Sequence, residues 1–395
     1  MKRKNIRKYN KQLILREIYS NNSSRARISG KLAIRPATVT EIIQELKTEN
    51  IIIETGSLSN KKKGRNRVRL AVNPDYGSMI GIYIDDSNIY GILINFAGII
   101  QKSTKICNKK PFKNVIINNV NIAVSNLIEG VATENIKAIG IASVGVIDEK
   151  SGICITTSRI EGFNNINLKD IINNSHLPKS IKTNVCMAVK ARIFAEKWFG
   201  MSAENNFVVY LQIEAGIAIS VMNKGVIFMS SNPSAGLLGH TIIDKNIINN
   251  TNFDAKNGHL ETFLNDNKII RDCNKALKID KENYLSLDEI LEKVKEGNSI
   301  LTETICGFTK YIAVAVANVY NTYAPDKIIL GGRICDFSNI FLPETKKIVK
   351  KMLLFPPGND DFVEVSKINV FAGSLGATVP FFEEFYSIPA PRGGE

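Results

Sequence analysis

Residues Ser24 to Glu49 read SRARISGKLAIRPATVTEIIQELKTE, and this stretch decides how the first part of the chain folds. Apolar residues recur at helical spacing on both sides of a break at residues 33–36, which predicts two helices joined by a tight turn. Pro36 marks the start of the second helix, because a proline lacks an N–H and the first turn of a helix does not need one. The second helix is expected to run to about Glu49. Its inward face is expected to consist of Val39, Ile42, Ile43 and Leu46.

Two flanking elements complete a small domain. Asn5 to Tyr19 places apolar residues three and four apart and predicts a helix that precedes the other two. After them, Asn50 to Glu54 and Arg67 to Val72 read as two strands of a hairpin with a polar, basic tip. Three short helices followed by a hairpin are the arrangement of a winged helix-turn-helix, here predicted over residues 1–72.

The positive charge of the chain is concentrated in this segment. The 395 residues carry a net charge of +13, and residues 1–70, with 18 Lys and Arg against 5 Asp and Glu, account for all of it. A generally solubilising surface would spread the charge along the whole chain. A basic segment attached to a neutral body is typical of a nucleic-acid-binding protein, so we expect double-stranded DNA as a partner.

The last helix and the hairpin supply the candidate DNA contacts. Small hydroxyl and amide side chains near the start of a helix can reach base edges in a major groove. The candidates for base contacts are Arg35, Thr38, Thr40 and Gln44, on an outer face that also presents Glu41 and Lys47. Cations at the hairpin tip are suited to phosphates or to a minor groove. These candidates are Lys61, Lys62, Lys63, Arg65 and Arg67.

Cysteine usage and hydropathy point to a cytoplasmic protein. The six cysteines form no C-x-x-C pair, which fits reduced thiols better than a disulfide framework or a cysteine zinc site. No stretch reaches about 18 uninterrupted apolar residues, so no membrane span is expected. The basic N-terminus has no apolar segment after it, so it does not read as a signal peptide.

Residues 73–78 read as a linker, and a second domain is predicted over residues 79–388. Strands are predicted at Met79–Ile84, Ile89–Ile94, Ile99–Ile106 and Ile136–Gly145, with a helix between the last two at about Val115–Gly130. Strands that alternate with helices predict an α/β fold. Ile300 to Tyr323 is apolar at helical spacing and predicts a buried core helix that ends at Ala324-Pro325.

This second domain resembles the ROK family of bacterial sugar kinases and sugar-responsive repressors. The resemblance rests on residues 81–98, 139–148, 184–200, 235–240, 258–261 and 324–332, which read in the last case APDKIILGG. It implies a two-lobed, actin-like (RNase H-like) ATPase fold. Repressors of the family carry an N-terminal winged helix, as predicted here.

The resemblance also shows which catalytic residues this chain lacks. The family's first phosphate loop, Asp-x-Gly-Gly-Thr, is replaced by Tyr83-Ile84-Asp85-Asp86-Ser87, which we interpret as a solvated hairpin turn. In the second phosphate loop a carboxylate, Glu214, replaces a glycine and Gly216 is the glycine that remains. The family's Asn-Asp pair, whose Asp is the general base, reads Asn184-Val185, and valine cannot accept a proton. No catalytic residue and no cofactor are therefore predicted.

Part of a sugar pocket remains at the positions that match the family. The run Gly-Glu-x-Gly-His appears as Gly236-Leu237-Leu238-Gly239-His240, in which Leu237 replaces a sugar-binding Glu. The candidate ligand-binding residues are Asn184, His240 and Glu261. They fit a different or less hydroxylated effector, or they are remnants that bind none.

A structural zinc is common in the family, where the His of this run and three cysteines hold it. The aligned stretch here has no cysteine. His240, Asp254 and His259 remain as N and O donors, but a histidine in a loop is more often an ordinary polar residue, so no metal is predicted.

Three functions follow in order of preference. The first is a DNA-binding transcriptional regulator of carbohydrate genes, with a catalytically inactive body that senses a sugar or sugar derivative. Two-fold symmetric DNA sites favour a homodimer or homotetramer. The second is a regulator without an effector, whose body is a dimerisation scaffold. The third is an active sugar kinase. The operator, the regulated genes and the sign of regulation are not encoded in any motif.

Overall fold

We describe residues 3–58, 67–174, 177–178, 181–200, 206–228, 230, 232, 235–244, 258–368 and 370–386 of a computed structural model. The chain forms two compact units. Unit 1 consists of residues 1–187 together with residues 373–395, and unit 2 consists of residues 188–372. Each unit is described by itself.

The N-terminal segment of unit 1, which we call the head, contains three helices and a two-stranded hairpin. The elements are α1 (Arg3–Asn21), α2 (Arg25–Leu32), α3 (Pro36–Thr48), β1 (Ile52–Leu58) and β2 (Arg67–Val72). The break predicted at residues 33–36 matches the end of α2, the bounds of β2 are those predicted, and α1 and α3 lie within a few residues of their predicted bounds. Ala33 ends α2 in the left-handed conformation, and the four apolar residues predicted to face inward from α3 are all buried.

A five-stranded sheet forms the body of unit 1. Its strands are β3 (Ser78–Ile84), β4 (Asn88–Asn95), β5 (Ile100–Cys107), β6 (Ile136–Ser143) and β10 (Lys182–Met187). Helix α4 (Lys113–Ile128) precedes β6, and a small separate sheet lies between β6 and β10 in the chain. The small sheet contains β7 (Val146–Asp148), β8 (Ile153–Thr156) and β9 (Ile166–Asn167). The order is β10-β6-β3-β4-β5, in which β3, β4 and β5 are antiparallel neighbours and β6 and β10 are parallel to β3.

Unit 2 contains a second five-stranded sheet of the same strand order. Its elements are α5 (Ala188–Phe199), β11 (Phe207–Ile213), β12 (Ile217–Asn223), β13 (Val226–Ile227), α6 (Leu260–Phe263), α7 (Asp266–Ala276), α8 (Leu287–Lys295), α9 (Ser299–Cys306), α10 (Thr309–Tyr323), β14 (Lys327–Gly331), α11 (Ser338–Met352) and β15 (Val363–Val365). The order is β13-β12-β11-β14-β15, with β14 and β15 parallel to β11. Together with the first sheet, this gives the mixed α/β fold that the sequence predicted.

The apolar segment predicted as one core helix forms two helices, α9 and α10, which meet at Gly307 and Phe308. By length and composition the segment Ser299–Tyr323 could cross a membrane, with a hydropathy of 1.4 over its most apolar window. Half of that window is buried inside the protein, and Ile305, Ile312 and Val316 belong to the hydrophobic core of unit 2. A single helix of this kind is weak support for a membrane span, and the burial matches the core helix that the sequence predicted.

The last helix, α12 (Ala372–Tyr386), packs on the sheet of unit 1. Two glycines of the sheet permit this close approach. A Cβ atom at Gly81 would lie 2.0 Å from the carbonyl oxygen of Ser374, and one at Gly140 would lie 2.0 Å from that of Ala377. Any larger residue at either position would push the helix away from the sheet.

The other end of α12 contacts the head. The ring of Tyr19, from α1, lies 4.6 Å from the ring of Tyr386, and Gln12 donates a hydrogen bond to the carbonyl oxygen of Glu384. The Tyr386 hydroxyl donates to the carbonyl oxygen of Phe96, which follows β4. Burial raises the pKa of Tyr19 to about 12. The head is therefore joined to the body of unit 1 through packed aromatic side chains as well as through the linker.

Candidate functional site

Helix α3 presents the predicted base-contacting residues on its solvent side. Arg35 is the N-cap residue and is exposed, and Thr40 and Gln44 are also exposed. Thr38 is half-buried. The Thr40 hydroxyl donates to the carbonyl oxygen of Pro36 at 2.9 Å, so it can offer a base edge only an acceptor while that bond is kept. The four residues are on the helix where the sequence placed them, and their contact with DNA stays a prediction.

Ion pairs between α1 and α3 hold the two helices together. Arg7 and Lys11 donate to the Glu45 carboxylate at 2.8 and 2.7 Å, and Lys11 also donates to Glu49. The hydrogen bonds from Lys11 and then Arg7 keep the pKa of Glu45 below its ordinary value. These cations are therefore engaged inside the head and are less available to phosphates.

Lys47, which the sequence placed on the outer face of α3, is also engaged within the head. Its amino group donates to Glu54 of β1 at 2.7 Å, and Arg25 of α2 approaches the same carboxylate at 3.3 Å. The bond from Lys47 is the main cause of a lowered pKa at Glu54. The Glu54 carboxylate therefore accepts hydrogen bonds from both α2 and α3. Helical spacing in the sequence does not predict this position.

Five exposed cations of the described head form no ion pair among the described residues: Lys8, Arg16, Arg27, Arg35 and Arg69. Arg35 begins α3, and Arg69 lies on β2, whose Leu70 N–H donates to the carbonyl oxygen of Ser23 just before α2. The hairpin-tip residues Lys61, Lys62, Lys63 and Arg65 lie outside the described residues, as does the side chain of Arg67. Their predicted phosphate contacts stay predictions.

The turn between β3 and β4 differs from the solvated hairpin turn that we interpreted from the sequence. Asp85 and Asp86 are only 15% and 20% exposed, and Arg159, from the loop after β8, lies 2.9 and 2.7 Å from their carboxylates. The carboxylates are neighbours and half-buried, so they need a nearby cation that the local sequence does not supply. Burial raises the pKa of Asp86, but its contacts with Asp85 and Arg159 outweigh this and leave the pKa below its ordinary value of 3.8.

The turn between β11 and β12 has a similar contact, fully buried. Glu214 accepts a hydrogen bond from Arg192 of α5 at 2.7 Å and one from the Gln212 side-chain amide at 2.8 Å. The Arg192 and Glu214 side chains are 6% and 9% exposed. Each of the two turns that match a phosphate loop of the family thus holds its own carboxylate against an arginine.

Two residues at positions matching the family's catalytic residues are buried in the sheet of unit 1. Tyr83 is 1% exposed and its ring stacks on that of Tyr90, with the centroids 5.7 Å apart. Val185 is 2% exposed and pairs with Ile141 of β6. The apolar Val185 side chain has no atom that could take a proton from a sugar hydroxyl.

The predicted ligand-binding residues belong to different units. Asn184 is half-buried on β10 in unit 1, whereas His240 and Glu261 belong to unit 2. Within unit 2, the Glu261 carboxylate accepts the N–H of Ile217 at 3.3 Å and would lie 2.6 Å from a Cβ atom at Gly239. One carboxylate oxygen of Glu261 is therefore occupied by the backbone. Ligand binding by the three residues stays a prediction.

His240 lies against His259, with their Nδ1 atoms 3.4 Å apart and their rings nearly perpendicular. Asp254, the third donor that the sequence suggested, lies outside the described residues. Within the described residues, no group of three or more His, Cys, Asp or Glu side chains is placed to hold a metal ion. The rings of His240 and His259 pack edge to face, and the absence of a bound metal stays a prediction.

Sequence reasoning missed Arg159 and Arg192. Arg192 lies on α5 between the buried residues Val189 and Ile193, and an arginine on an apolar helix face is a signal for a buried ion pair. Arg159 lies in a loop whose sequence carries no comparable signal. Its partners are 73 and 74 residues away in the chain, and only the tertiary structure brings them together.

The chain is similar over most of its length to bacterial repressors. It is 27% identical to the xylose repressor of Caldicellulosiruptor bescii, over 97% of this chain and 98% of that protein. It is 24% identical to the xylose repressor of Bacillus subtilis, over 96% of both chains. It is 20% identical to the DNA-binding transcriptional repressor Mlc of Escherichia coli, over 84% of this chain and 82% of Mlc.

Solved structures show the same fold. A ROK family transcriptional regulator, described as a homolog of the Escherichia coli Mlc protein, has a TM-score of 0.75 at 21% identity and covers 96% of this chain and 97% of its own. A ROK family glucokinase from Streptomyces griseus, in complex with glucose and AMPPNP, has a TM-score of 0.65 at 18% identity and covers 76% of this chain and 98% of its own. The sequence profile of the ROK family matches residues 79–382. The chain therefore belongs to the ROK family.

Proposed function

We propose that this protein is a sequence-specific DNA-binding regulator, acting as a repressor of carbohydrate-metabolism genes in the cytoplasm. It works as a homodimer or homotetramer on double-stranded DNA. The second domain, predicted over residues 79–388 and called the body below, binds a sugar or sugar derivative and does not phosphorylate it.

The observation that carries this proposal is the extent of the similarity. The repressors match the chain from the head to the end of the body, whereas the glucokinase matches nearly all of its own length and leaves about a quarter of this chain uncovered. The kinase-sized part is the body, and the additional part has the size of the head. A regulator needs both parts, and a kinase needs only one.

The charges of the head support the same function. Arg7, Lys11 and Lys47 are paired with carboxylates within the head, whereas five exposed cations form no ion pair among the described residues: Lys8, Arg16, Arg27, Arg35 and Arg69. An unpaired exposed guanidinium keeps its full electrostatic attraction for phosphate or for a guanine edge. The internal pairs fix the helices, and the unpaired cations are left for DNA.

Equilibrium binding to the protein's own upstream DNA tests the proposal. We expect fluorescence anisotropy to show binding well over tenfold tighter than to scrambled DNA, retained when the salt is raised. Arg35→Ala should weaken specific binding by about 1–3 kcal/mol. Arg271→Ala, which removes an exposed arginine from unit 2, is the control and should bind like the wild type. Weak, unselective binding that disappears with salt would contradict the proposal.

The absence of catalysis is the second part of the proposal. Asp85, Asp86 and Glu214 put negative charge into the two turns that match phosphate loops, and Arg159 and Arg192 are held by those carboxylates. ATP phosphates would have to displace these contacts and then face the carboxylates themselves. Val185 leaves the sugar hydroxyl without a general base, which alone costs typically 10²–10⁴-fold in rate.

Two assays test this part. A thermal-shift titration with Mg-ATP should leave the melting temperature unchanged, and a coupled ADP-release assay should show no turnover that depends on an added sugar. A melting temperature that rises with Mg-ATP, together with sugar-dependent ADP release, would establish the kinase function instead.

An effector-independent regulator is the alternative. The apolar Leu237 and the engagement of Glu261 with the Ile217 N–H favour it, because both reduce the polar groups left for a sugar. Release of the bound DNA by a sugar panel separates the two functions. Xylose is the first sugar to test, since several of the relatives are named xylose repressors. A panel in which no sugar or sugar phosphate changes DNA affinity would favour the alternative.

A further inference from the structure

The outer edge of the sheet in unit 2 is short, and the described residues cover only part of it. Strand β13 has two residues and pairs with the end of β12. Next along the same edge, the Phe228 N–H donates to the Val221 carbonyl oxygen and the Ile219 N–H donates to the Gly236 carbonyl oxygen, both at 2.7 Å. Residues two apart in a strand face the same edge. Phe228 and Gly236 are therefore neighbours along it.

Two large apolar side chains protrude from this edge, and a third belongs to the segment just after His240. Val226 and Phe228 are 64% and 70% exposed, and Ile242 is 59% exposed. A single exposed apolar residue is ordinary on a protein surface, but several on one short edge mark a surface that another molecule covers. We call Val226, Phe228 and Ile242 the edge knobs.

A hollow of about 590 Å³ lies beside the knobs. Its lining includes Ile219 and Gly236 from the same edge and Thr241, which precedes Ile242 in the chain. The remaining lining residues are Leu237, Leu238, Asn318, Val319, Asn321, Thr322 and Tyr323. These residues include apolar, amide and hydroxyl side chains, and none of those that line the hollow is charged. A cavity of about 150 Å³ already admits a benzene ring, so the hollow has room for a phenylalanine side chain.

We propose that the edge knobs and the hollow together form the interface between two copies of this chain, in which Phe228 of each protomer enters the hollow of its partner. A two-fold interface uses one patch twice, so the patch must contain both a protrusion and a matching cavity. This patch contains both. The core of an interface is depleted of charged residues, as this patch is. The inference rests on the proposed function, because a two-fold symmetric DNA site requires two heads.

A second apolar protrusion in unit 2 lacks these features. Leu354 and Phe355, in the loop after α11, are more than 80% exposed. The last turn of the helix before this loop contains Lys350 and Lys351, and Lys350 pairs with Asp360 beyond it. Neither residue lines the hollow. Phe355 therefore provides a control of equal chemistry that does not line the hollow.

The experiment measures the oligomeric state of the full chain by analytical ultracentrifugation over a dilution series. Phe228→Asp should weaken self-association by at least about 30-fold, because burying an unpaired carboxylate replaces burial of an aromatic ring. Asn321→Trp, which fills the hollow, should weaken it as well. Phe355→Asp should associate like the wild type. Phe228, Asn321 and Phe355 are exposed, so the circular dichroism spectrum of each folded variant should match that of the wild type.

The outcomes distinguish this inference from the proposed function. A monomeric wild type, a Phe228→Asp variant that associates like the wild type, or loss of association in Phe355→Asp instead would each overturn the inference. DNA binding is measured on the same samples. If Phe228→Asp is monomeric and binds a half-site like the wild type but a two-fold site more weakly, both proposals are supported. If the wild type associates through Phe228 but shows no selective DNA binding, the interface stands and the proposed function fails.

Discussion

The sheets of unit 1 and unit 2 have one strand order, and each carries an arginine–carboxylate contact at the turn between its first two strands. In unit 1, Arg159 contacts two carboxylates and all three side chains are 15–20% exposed. In unit 2, Arg192 contacts Glu214 and both are less than 10% exposed. The same turn in the two sheets therefore holds the same kind of ion pair, but the side chains of the pair in unit 1 are more exposed to water.

This difference in exposure determines what each contact contributes. A buried charge that loses its partner keeps a desolvation penalty of several kcal/mol, whereas a half-exposed charge regains part of its hydration. The contact in unit 2 should therefore be the more costly to break. The contact in unit 1 should respond more to pH and salt, since water reaches its carboxylates.

The largest effect is expected from Arg192→Ala. It leaves Glu214 buried without its cation and should lower the free energy of unfolding of unit 2 by about 3–5 kcal/mol. Urea unfolding followed by the fluorescence of Trp198, the one tryptophan of the chain, measures this, because Trp198 lies on α5 in unit 2. Arg271→Ala, at an exposed position of the same unit, is the control. Equal stability of the two variants would show that the buried pair contributes nothing.

A double-mutant cycle on the same pair should give the next largest effect. Arg192→Met alone and Glu214→Gln alone should both destabilise unit 2, because each leaves one buried charge. The double variant buries no charge at this turn and should be more stable than the sum of the single effects predicts, with a coupling of about 0.5–3 kcal/mol. The same urea unfolding measures all four proteins. Strict additivity would mean that Arg192 acts through contacts other than Glu214.

Arg159→Ala should have a smaller effect on unit 1. The lost charge-assisted bonds are worth about 1.5–3 kcal/mol, reduced here because water reaches both carboxylates. Circular dichroism during thermal unfolding measures the loss, and Arg159→Lys should recover part of it by keeping the charge. A loss as large as that of Arg192→Ala would contradict the link between exposure and cost.

The smallest effect is a pH dependence in unit 1. The pKa of Asp86 is lower in the folded protein than its ordinary value, so ionised Asp86 stabilises the fold above about pH 4. That stabilisation is lost as the pH falls through the lowered pKa. Wild type should therefore melt at a higher temperature than Asp86→Asn near neutral pH, and the difference should shrink below about pH 4. A difference that is constant with pH would show that Asp86 acts without its charge.

Local sequence features predicted much of the head and the strands. β3 and β4 are near-continuous apolar runs that are buried on both faces and could be recognised by that composition. The spacing of Val39, Ile42, Ile43 and Leu46 in α3 follows the helical period of 3.6, which burial on one side imposes. The break between α9 and α10 at Gly307 was missed, because the apolar spacing continues across it. Glycine alone does not show that a helix ends.

The candidate site could be predicted only as residues on elements. The sequence placed Arg35, Thr40 and Gln44 on the solvent side of α3 because they alternate with its apolar face. It could not show that Lys47 is held by Glu54, since that bond depends on how the hairpin packs against the helices. The carboxylates at the phosphate-loop positions could be read from the sequence, but their partners Arg159 and Arg192 could not.

The sequence by itself determined the helices and strands of the head, the concentration of charge in it, the α/β pattern of the body and the loss of a general base at Val185. These depend on residue type and short-range spacing. Only the tertiary structure decided that Arg159 lies on Asp85 and Asp86, that Arg192 lies on Glu214, and that α12 joins the sheet of unit 1 to the head. The physical reason is that a buried or half-buried charge must find an opposite charge wherever the fold brings one near, and sequence distance does not limit that choice.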